Sequence, residues 1–308
     1  METYDTQVDP GICTGCGICI PLCPSDALSM EGKVAARTGD CLLGCGHCAA
    51  ACPVDAITVP FIDGDALDLR TIPWERAWEA PGKRDVPDLV RLMASRRSCR
   101  NYTDEPVDRA VLEDLVRIGI MAPSGTNSQA WTFTIVPDRT SVDRLGEAVS
   151  EFFRRLNRLA GSAPIRVLAR LVDRKDRLGE YYREYYEAVK EALAGWDRDR
   201  RDRLFHGAPA VILIGAAPGA TCPAEDALLA TQNMLLAAHA MGLGTCLIGF
   251  VVEAMREDRR IAQLLGIPKG EKIYAVIALG HPSERYRIAA GRKKVVPRWF
   301  EVSGSAQK

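Results

Sequence analysis

The sequence has no excess of charge, since Lys and Arg number 40 and Asp and Glu also number 40. Nucleic acid and anionic membrane surfaces are therefore excluded as main partners. It has no apolar run approaching the roughly 18 residues that span a bilayer. Its start, "METYDTQVDPG", has neither the basic stretch nor the apolar core of a secretion signal. The expectation is a cytoplasmic chain that does not enter a membrane. Histidine is scarce, and His206, His239 and His281 show no ligand spacing. No Gly-rich dinucleotide fingerprint follows a strand. Beyond residue 52 cysteine almost disappears: only Cys99, Cys222 and Cys246 follow, and they read as small buried residues.

What is present is uneven. Through Ile62 there are seven acidic residues (Glu2, Asp5, Asp9, Asp26, Glu31, Asp40, Asp55) against Lys33 and Arg37, a net of −5 that leaves +5 for the rest. Eight of the 11 cysteines lie in the same stretch, and without a secretion signal they read as metal ligands rather than disulfides. At 308 residues two domains are expected. The span 63–85, "DGDALDLRTIPWERAWEAPGKRD", has Pro73 and Pro81 and no sustained apolar period, so it reads as a linker. Trp74 and Trp78 are expected to pin it to a domain surface.

The cysteines are Cys13, Cys16, Cys19 and Cys23, then Cys41, Cys45, Cys48 and Cys52. "CTGCGICIPLCP" fits C-x2-C-x2-C-x3-C-P, the run that holds a cubane cluster. "GCGICIPLCPSDAL" recurs as "GCGHCAAACPVDAI", with Cys16, Cys19 and Cys23 each repeated 29 residues on. Cys41 alone is out of step, 28 residues after Cys13, so the second half has one extra residue between its first two ligands. Four-cysteine ligation of a second cluster is expected, with a degraded or three-iron site as the alternative. Zinc would leave the Pro after each fourth cysteine unexplained.

Residues 5–60 resemble the two-cluster bacterial ferredoxins. The resemblance implies crossed ligation of two [4Fe-4S] clusters: Cys13, Cys16, Cys19 and Cys52 for one, Cys41, Cys45, Cys48 and Cys23 for the other. A ferredoxin-like domain is assigned to 1–62.

The remainder mixes helix and strand signals. Leu89, Leu92 and Met93 mark a helix ending at a basic cluster, and Val107, Val111, Leu112, Leu115 and Ile118 mark another that opens near Pro106 and stops by Pro123. "WTFTIV", "AVILIGA" and "KIYAVIALG" read as strands. "EDALLATQNMLLAAHAMGLG" is a helix apolar around most of its circumference and closed by Gly242, which suits burial against its own copy.

"RRSCR", "APSGTNSQAW", "ATQNMLLAAHAMGLGTCLIG" and the late "GRKKV" follow one another in the order found in the nitroreductase superfamily of FMN enzymes, which 86–308 resembles. That implies an α+β fold and a homodimer with FMN at the subunit interface. It places Arg96, Arg97, Ser98 and Arg100 at the flavin, with Arg96 and Ser98 on the phosphate and Arg100 at the N1/O2 edge of the ring. Pro123, Ser124 and Gly125 correspond to the segment reaching FMN from the other subunit, with Asn127 close by. Ile248 and Gly249 correspond to the backbone at N5, and Arg292 and Lys294 to the late phosphate pair. Ala130 replaces the Pro common in this motif. No residue acts as a nucleophile, because the chemistry belongs to N5 of the flavin.

Residues 150–205 depart most and match the variable helical excursion that covers the flavin. Within them Tyr181, Tyr182, Tyr185 and Tyr186 form pairs at four-residue spacing, on a helix face that either lines the pocket or packs on the domain. The function implied is an FMN-dependent oxidoreductase fed by its own ferredoxin domain, with reduced ferredoxin or NAD(P)H as outside donor and a small nitroaromatic or quinone as substrate. A reductive dehalogenase of the same superfamily is the alternative reading, and an electron-transfer module that docks to a larger complex is the non-enzymatic one.

Overall fold

The computed structural model describes residues 3–172 and 176–300. The extreme ends of the expected 1–62 and 86–308 domains, and three residues of the excursion, lie outside the described residues. The front of the chain is built of two short antiparallel ladders and one helical turn. Strand β1 (Gln7–Val8) pairs with β4 (Ile57–Thr58), and β2 (Leu28–Glu31) pairs with β3 (Val34–Arg37). Helix α1 (His47–Ala50) lies between β3 and β4. Such a small unit buries little: Leu28, Ala35, Ile57 and Val59 share their core with Cys19 and Cys48.

The linker contains only a single helical turn at 65–67. Its tryptophans do not pin it as expected. Trp74 donates to Leu67 O within the linker itself, and Trp78 is 82% exposed. The anchor is Asp114, a fully buried carboxylate that accepts from Arg70 N–H, Thr71 N–H and the Thr71 hydroxyl at 2.6–3.0 Å. Burial alone would raise its pKa, but these bonds and the Arg117 guanidinium outweigh it and hold the carboxyl below its ordinary value.

Helix α2 (Val86–Ser95) starts at Asp85, whose side chain accepts from Asp88 N–H. Helix α3 (Arg109–Gly119) opens three residues later than Pro106 suggested, because Asp108 supplies the capping carboxylate, to Ala110 N–H. A four-stranded antiparallel sheet follows, in the order β5 (Trp131–Val136), β6 (Ala210–Ala216), β8 (Lys272–Gly280), β7 (Gly244–Leu247). All three strands read from the sequence are present over the quoted residues.

β6 is buried along its whole length because both faces of the sheet are covered. Its even-numbered residues pack with α3 and α8 (Pro223–Ala240), through Leu112, Leu115, Met234 and Leu235. Its odd-numbered residues pack with the other layer: α4 (Arg139–Gly161), α9 (Gly249–Glu257) and α10 (Arg259–Leu264), through Leu145, Val149, Val251 and Ile261. The excursion continues outside that layer as α5 (Ala163–Val172), α6 (Arg177–Glu184) and α7 (Tyr186–Asp199). One face of α8 is buried on the sheet, while Leu228 and Leu229 on the other stand half exposed in the single chain.

Candidate functional site

The eight cysteines are sorted into two sets of four. Cys13, Cys16, Cys19 and Cys52 line one hollow, and Cys23, Cys41, Cys45 and Cys48 line the other. The fourth cysteine of each half thus joins the first three of the other, as crossed ligation requires. The internal repeat is also visible in the backbone. Gly15 and Gly44, Gly17 and Gly46, and Asp26 and Asp55 are pairs 29 residues apart, and all six have positive φ.

Equivalent amides point at equivalent sulfurs. Ala27 N–H donates to Cys23 Sγ at 3.3 Å and Ala56 N–H to Cys52 Sγ at 3.2 Å, while Ala35 N–H lies 3.5 Å from Cys13 Sγ. Such bonds help set a cluster's potential. Burial pushes the Cys19 and Cys48 thiols up, so thiolates here need positive iron beside them. Four sulfurs around each hollow suit a group that brings its own iron and sulfide.

The extra residue makes the second turn Leu42, Leu43 and Gly44. Tyr4 N–H bonds Cys41 O at 2.8 Å and Leu42 N–H reaches Ser25 Oγ at 3.4 Å. Gly44 has φ +53°, and a Cβ there would lie 2.9 Å from both Phe61 Cδ1 and Tyr4 Cγ, in rings whose centroids lie 4.5 Å apart at a tilt of 48°. Only glycine suits that place.

In the second half the basic cluster leaves α2 at its C-cap, Arg96, and runs extended beside β7. Ser98 pairs with Thr245, and Cys99 N–H donates to Thr245 O at 2.9 Å. Burial pushes the Cys246 thiol up, against the opposing charges of Arg100 and Arg96 and a hydrogen bond from Ser98. Arg97 faces the other way, into a cleft shared with Cys99, His239, Glu284 and Tyr286. Arg96, Ser98 and Arg100 thus all act on Cys246, whereas Arg97 lines the separate cleft. Two guanidinium groups and a hydroxyl are the donor set that a phosphate or the anionic edge of a flavin calls for.

Past the far end of β7, Ile248 N–H bonds Val276 O at 2.9 Å, and Gly249 opens α9 with nothing within 4 Å of where a side chain would begin. Backbone is accessible there. Arg292 and Lys294 lie exposed in the extended final segment, where Arg292 donates to Ala290 O and Gly291 O. No bond joins either to Arg96 or Ser98 among the described residues.

Pro123, Ser124 and Gly125 lie on the loop between α3 and β5. Gly125 N–H donates to Asp226 Oδ1 at 2.9 Å, and a Cβ on Gly125 would come 2.8 Å from Cys222 Sγ. Asn127, two residues on, gives its side chain to the other domain: Nδ2 donates to Leu43 O at 3.0 Å and to Gly44 O at 3.3 Å. Sequence reasoning missed Asp226. The signal was a carboxylate in the first turn of an otherwise apolar helix. It also missed Glu284, which accepts from Arg100 N–H at 2.9 Å and left no pattern to find.

Burial, with a Glu284 hydrogen bond, pushes the Cys99 thiol up to about 12, which fits a packing residue and not a nucleophile. The tyrosines pair as their spacing indicated, Tyr181 with Tyr185 and Tyr182 with Tyr186, but they do not share one face. Tyr181 donates to Asn157 Oδ1 and joins the core, Arg166 stacks over Tyr182, and Tyr185 meets Phe250 edge-on at 5.9 Å. A cavity of about 270 Å³ opens beside Phe250, lined chiefly by Val149, Phe153, Val189, Leu193 and Trp196.

The profile of the nitroreductase family matches residues 93–281, and that of a 4Fe-4S dicluster domain matches residues 12–56. The NADH dehydrogenase of Thermus thermophilus is 27% identical over 212 residues, covering 65% of this chain and 89% of its own. The 4-nitrobenzoate reductase of Nocardioides sp. is 27% identical over 214 residues, covering 65% and 82%. A solved nitroreductase with bound FMN from Bacteroides fragilis superposes with a TM-score of 0.48 at 21% identity, over 68% of this chain and 99% of that one. With its sheet, its arginine and serine set beside β7 and its two four-cysteine hollows, the chain belongs to the nitroreductase family and carries a 4Fe-4S dicluster domain ahead of the family's fold.

Proposed function

We propose that this chain is an FMN-dependent oxidoreductase whose ferredoxin-like domain relays electrons to the flavin for reduction of a small organic acceptor, nitroaromatic or quinone in class. The observation that carries the enzymatic reading is the cavity beside Phe250, the residue after Gly249. A pure carrier has no use for such a space. Its walls are mainly apolar and include Phe153, Trp196 and Phe250, which suits a flat aromatic ring, with Ser150, Arg201, Asp202 and Arg203 as the polar part of the lining. The likeness to 4-nitrobenzoate reductase agrees with that class.

FMN, when bound, supplies the conversion of single electrons into pairs. The chain's own part is position and charge. Arg96 and Ser98 would hold the phosphate, and Arg100 would lie at the N1/O2 edge, where its charge would favour the reduced ring. Gly249 would leave backbone bare for N5, and Gly125 keeps the loop tight against Asp226. Helices α4 and α7 wall the cavity. The eight cysteines hold two clusters at the front, where the net charge of −5 suits a basic protein donor such as a ferredoxin reductase, with reduced ferredoxin or NAD(P)H as the other sources. Half-exposed Leu228 and Leu229, together with Val295, Val296 and Trp299, each about 80% exposed in one chain, support a homodimer that covers them.

The test is anaerobic reconstitution of the full chain with iron, sulfide and FMN, expected to give about eight irons and one FMN per chain. Clusters reduced in advance should bleach the flavin, and a nitroaromatic should restore its colour. If no nitroaromatic or quinone restores it, the chain is a carrier and not the proposed enzyme.

A further inference from the structure

The irregular turn between Cys41 and Cys45 is the one place where the ligand loops of the ferredoxin-like domain hydrogen-bond to the family fold among the described residues. Both carbonyls that Asn127 engages, Leu43 O and Gly44 O, lie inside the turn, and Leu43 also lines the second hollow. The corresponding turn of the first half has two residues, Thr14 and Gly15, so it lacks the extra peptide unit that lets a pair of carbonyls face outward. Gly15 instead turns inward: a Cβ there would lie 2.1 Å from Lys33 O of its own domain. Around the first hollow Cys16 is exposed, and Ile12 and Ile18 are about half exposed. One cluster site faces the family fold and the other faces out.

The Asn127 side is built to hold still. Thr126, Asn127 and Gln129 all have φ near +50°, a left-handed run that non-glycine residues adopt only when the surroundings enforce it. Buried Asp226 provides that enforcement, accepting from Gly125 N–H and, at 3.5 Å, from the Ser128 hydroxyl. Ser124 Oγ accepts from Gln129 N–H at 3.0 Å. Gln129 Nε2 then donates to Asn127 Oδ1 at 3.3 Å, which fixes the carboxamide with its N–H pair toward the turn.

We propose that the three-residue turn between Cys41 and Cys45 docks the second cluster site onto the flavin-side loop, that Asn127 is the positioning residue that latches it, and that the first cluster site is the entry for the external donor. This rests on the relay reading above. Electrons enter at the first site and leave at the second. Each passage oxidises the second cluster by one electron and reduces the flavin by one, so two passages furnish the pair needed by a small organic acceptor. The inserted residue is then the device that aims the ferredoxin domain.

The decisive variants are Asn127→Gly, which accepts the left-handed backbone and removes the carboxamide, and Asn127→Asp, which sets a carboxylate against two carbonyl oxygens. Both are made in the full chain and loaded anaerobically with iron, sulfide and FMN. Iron content should match the parent, and FMN content is measured so that rates are taken per flavin bound. Hydrogen exchange over 42–46 should accelerate at least tenfold while exchange over 13–17 stays unchanged, and electron equilibration between reduced clusters and flavin should slow at least tenfold. Unchanged exchange at 42–46, or an unchanged equilibration rate, would overturn the proposal. Should the loaded parent show no equilibration at all, the relay reading fails, while the exchange data still decide whether Asn127 is the latch.

Discussion

Asn127 and Leu43 are 84 positions apart in the chain, yet the carboxamide of one donates to the carbonyl of the other at 3.0 Å. That bond ties the irregular cysteine turn to a loop whose backbone is held by a buried aspartate. It changes the meaning of the extra residue between Cys41 and Cys45. The three other ligands of that half keep their 29-residue register, and the added peptide unit goes to a contact outside the domain.

Gly44→Ala tests how tightly the turn is built. A methyl group would meet the Tyr4 and Phe61 rings at 2.9 Å, on a backbone with φ +53°. The two rings lie 4.5 Å apart, tilted at 48°, so a methyl group meets both at once, and with the positive φ the strain on the turn is about 1–3 kcal/mol. The expected result is selective loss of the second cluster, seen as a fall from about eight to about four irons per chain, with the first cluster's spectrum retained. Full iron content in this variant would show that the turn is not a rigid part of the site.

Asp114→Ala should free the linker. The substitution leaves Arg70 N–H, Thr71 N–H and the Thr71 hydroxyl without their acceptor and costs about 3 kcal/mol, read as a lower melting temperature and faster proteolysis near 68–73. The same carboxylate predicts a pH effect. Its pKa is lowered in the folded chain, so its contribution is complete above the unfolded value near 4 and is lost as pH falls through the folded one. Asp114→Ala should therefore show a smaller acid-induced loss of stability than the parent.

Some of this was legible because the physics is local. "AVILIGA" reads as a strand because a sheet covered on both faces needs apolar residues at every position, and the 29-residue repeat survives as pairs of positive φ angles. The α3 start moved because a capping Asp108 outweighs a nearby proline. The crossed cysteine sets were available only through resemblance, since nothing in the spacing says which hollow a fourth cysteine enters. Trp74 and Trp78 misled because large apolar side chains suggest burial, while the linker is held by backbone amides on one carboxylate that no sequence pattern marks. The motif around Asn127 points to the flavin. Its bond to the ferredoxin-like domain depends on how two domains meet, and that is written in no local pattern.

Arg100→Ala should lower the midpoint potential of the bound flavin. A guanidinium at the N1/O2 edge stabilises the negative charge gained on reduction, and losing about 1.4 kcal/mol of it corresponds to roughly 30 mV for a two-electron couple. Redox titration of the reconstituted chain, with FMN content verified, reads the shift directly. An unchanged potential would place Arg100 away from the ring.

Ala192→Phe addresses the cavity. Ala192 lines it on α7, and a phenyl ring added there occupies space that an aromatic acceptor needs. Because the ring enters existing volume, the overpacking cost of about 1–3 kcal/mol that a filled core imposes should be largely avoided. The flavin potential and the cluster-to-flavin rate should stay as in the parent, since neither Arg100 nor the Cys41–Cys45 turn is touched. KM for a nitroaromatic should rise at least tenfold, with a smaller effect on a compact acceptor such as benzoquinone. An unchanged KM would mean that substrate approaches the flavin by another face, and the cavity would then give no support to an enzyme.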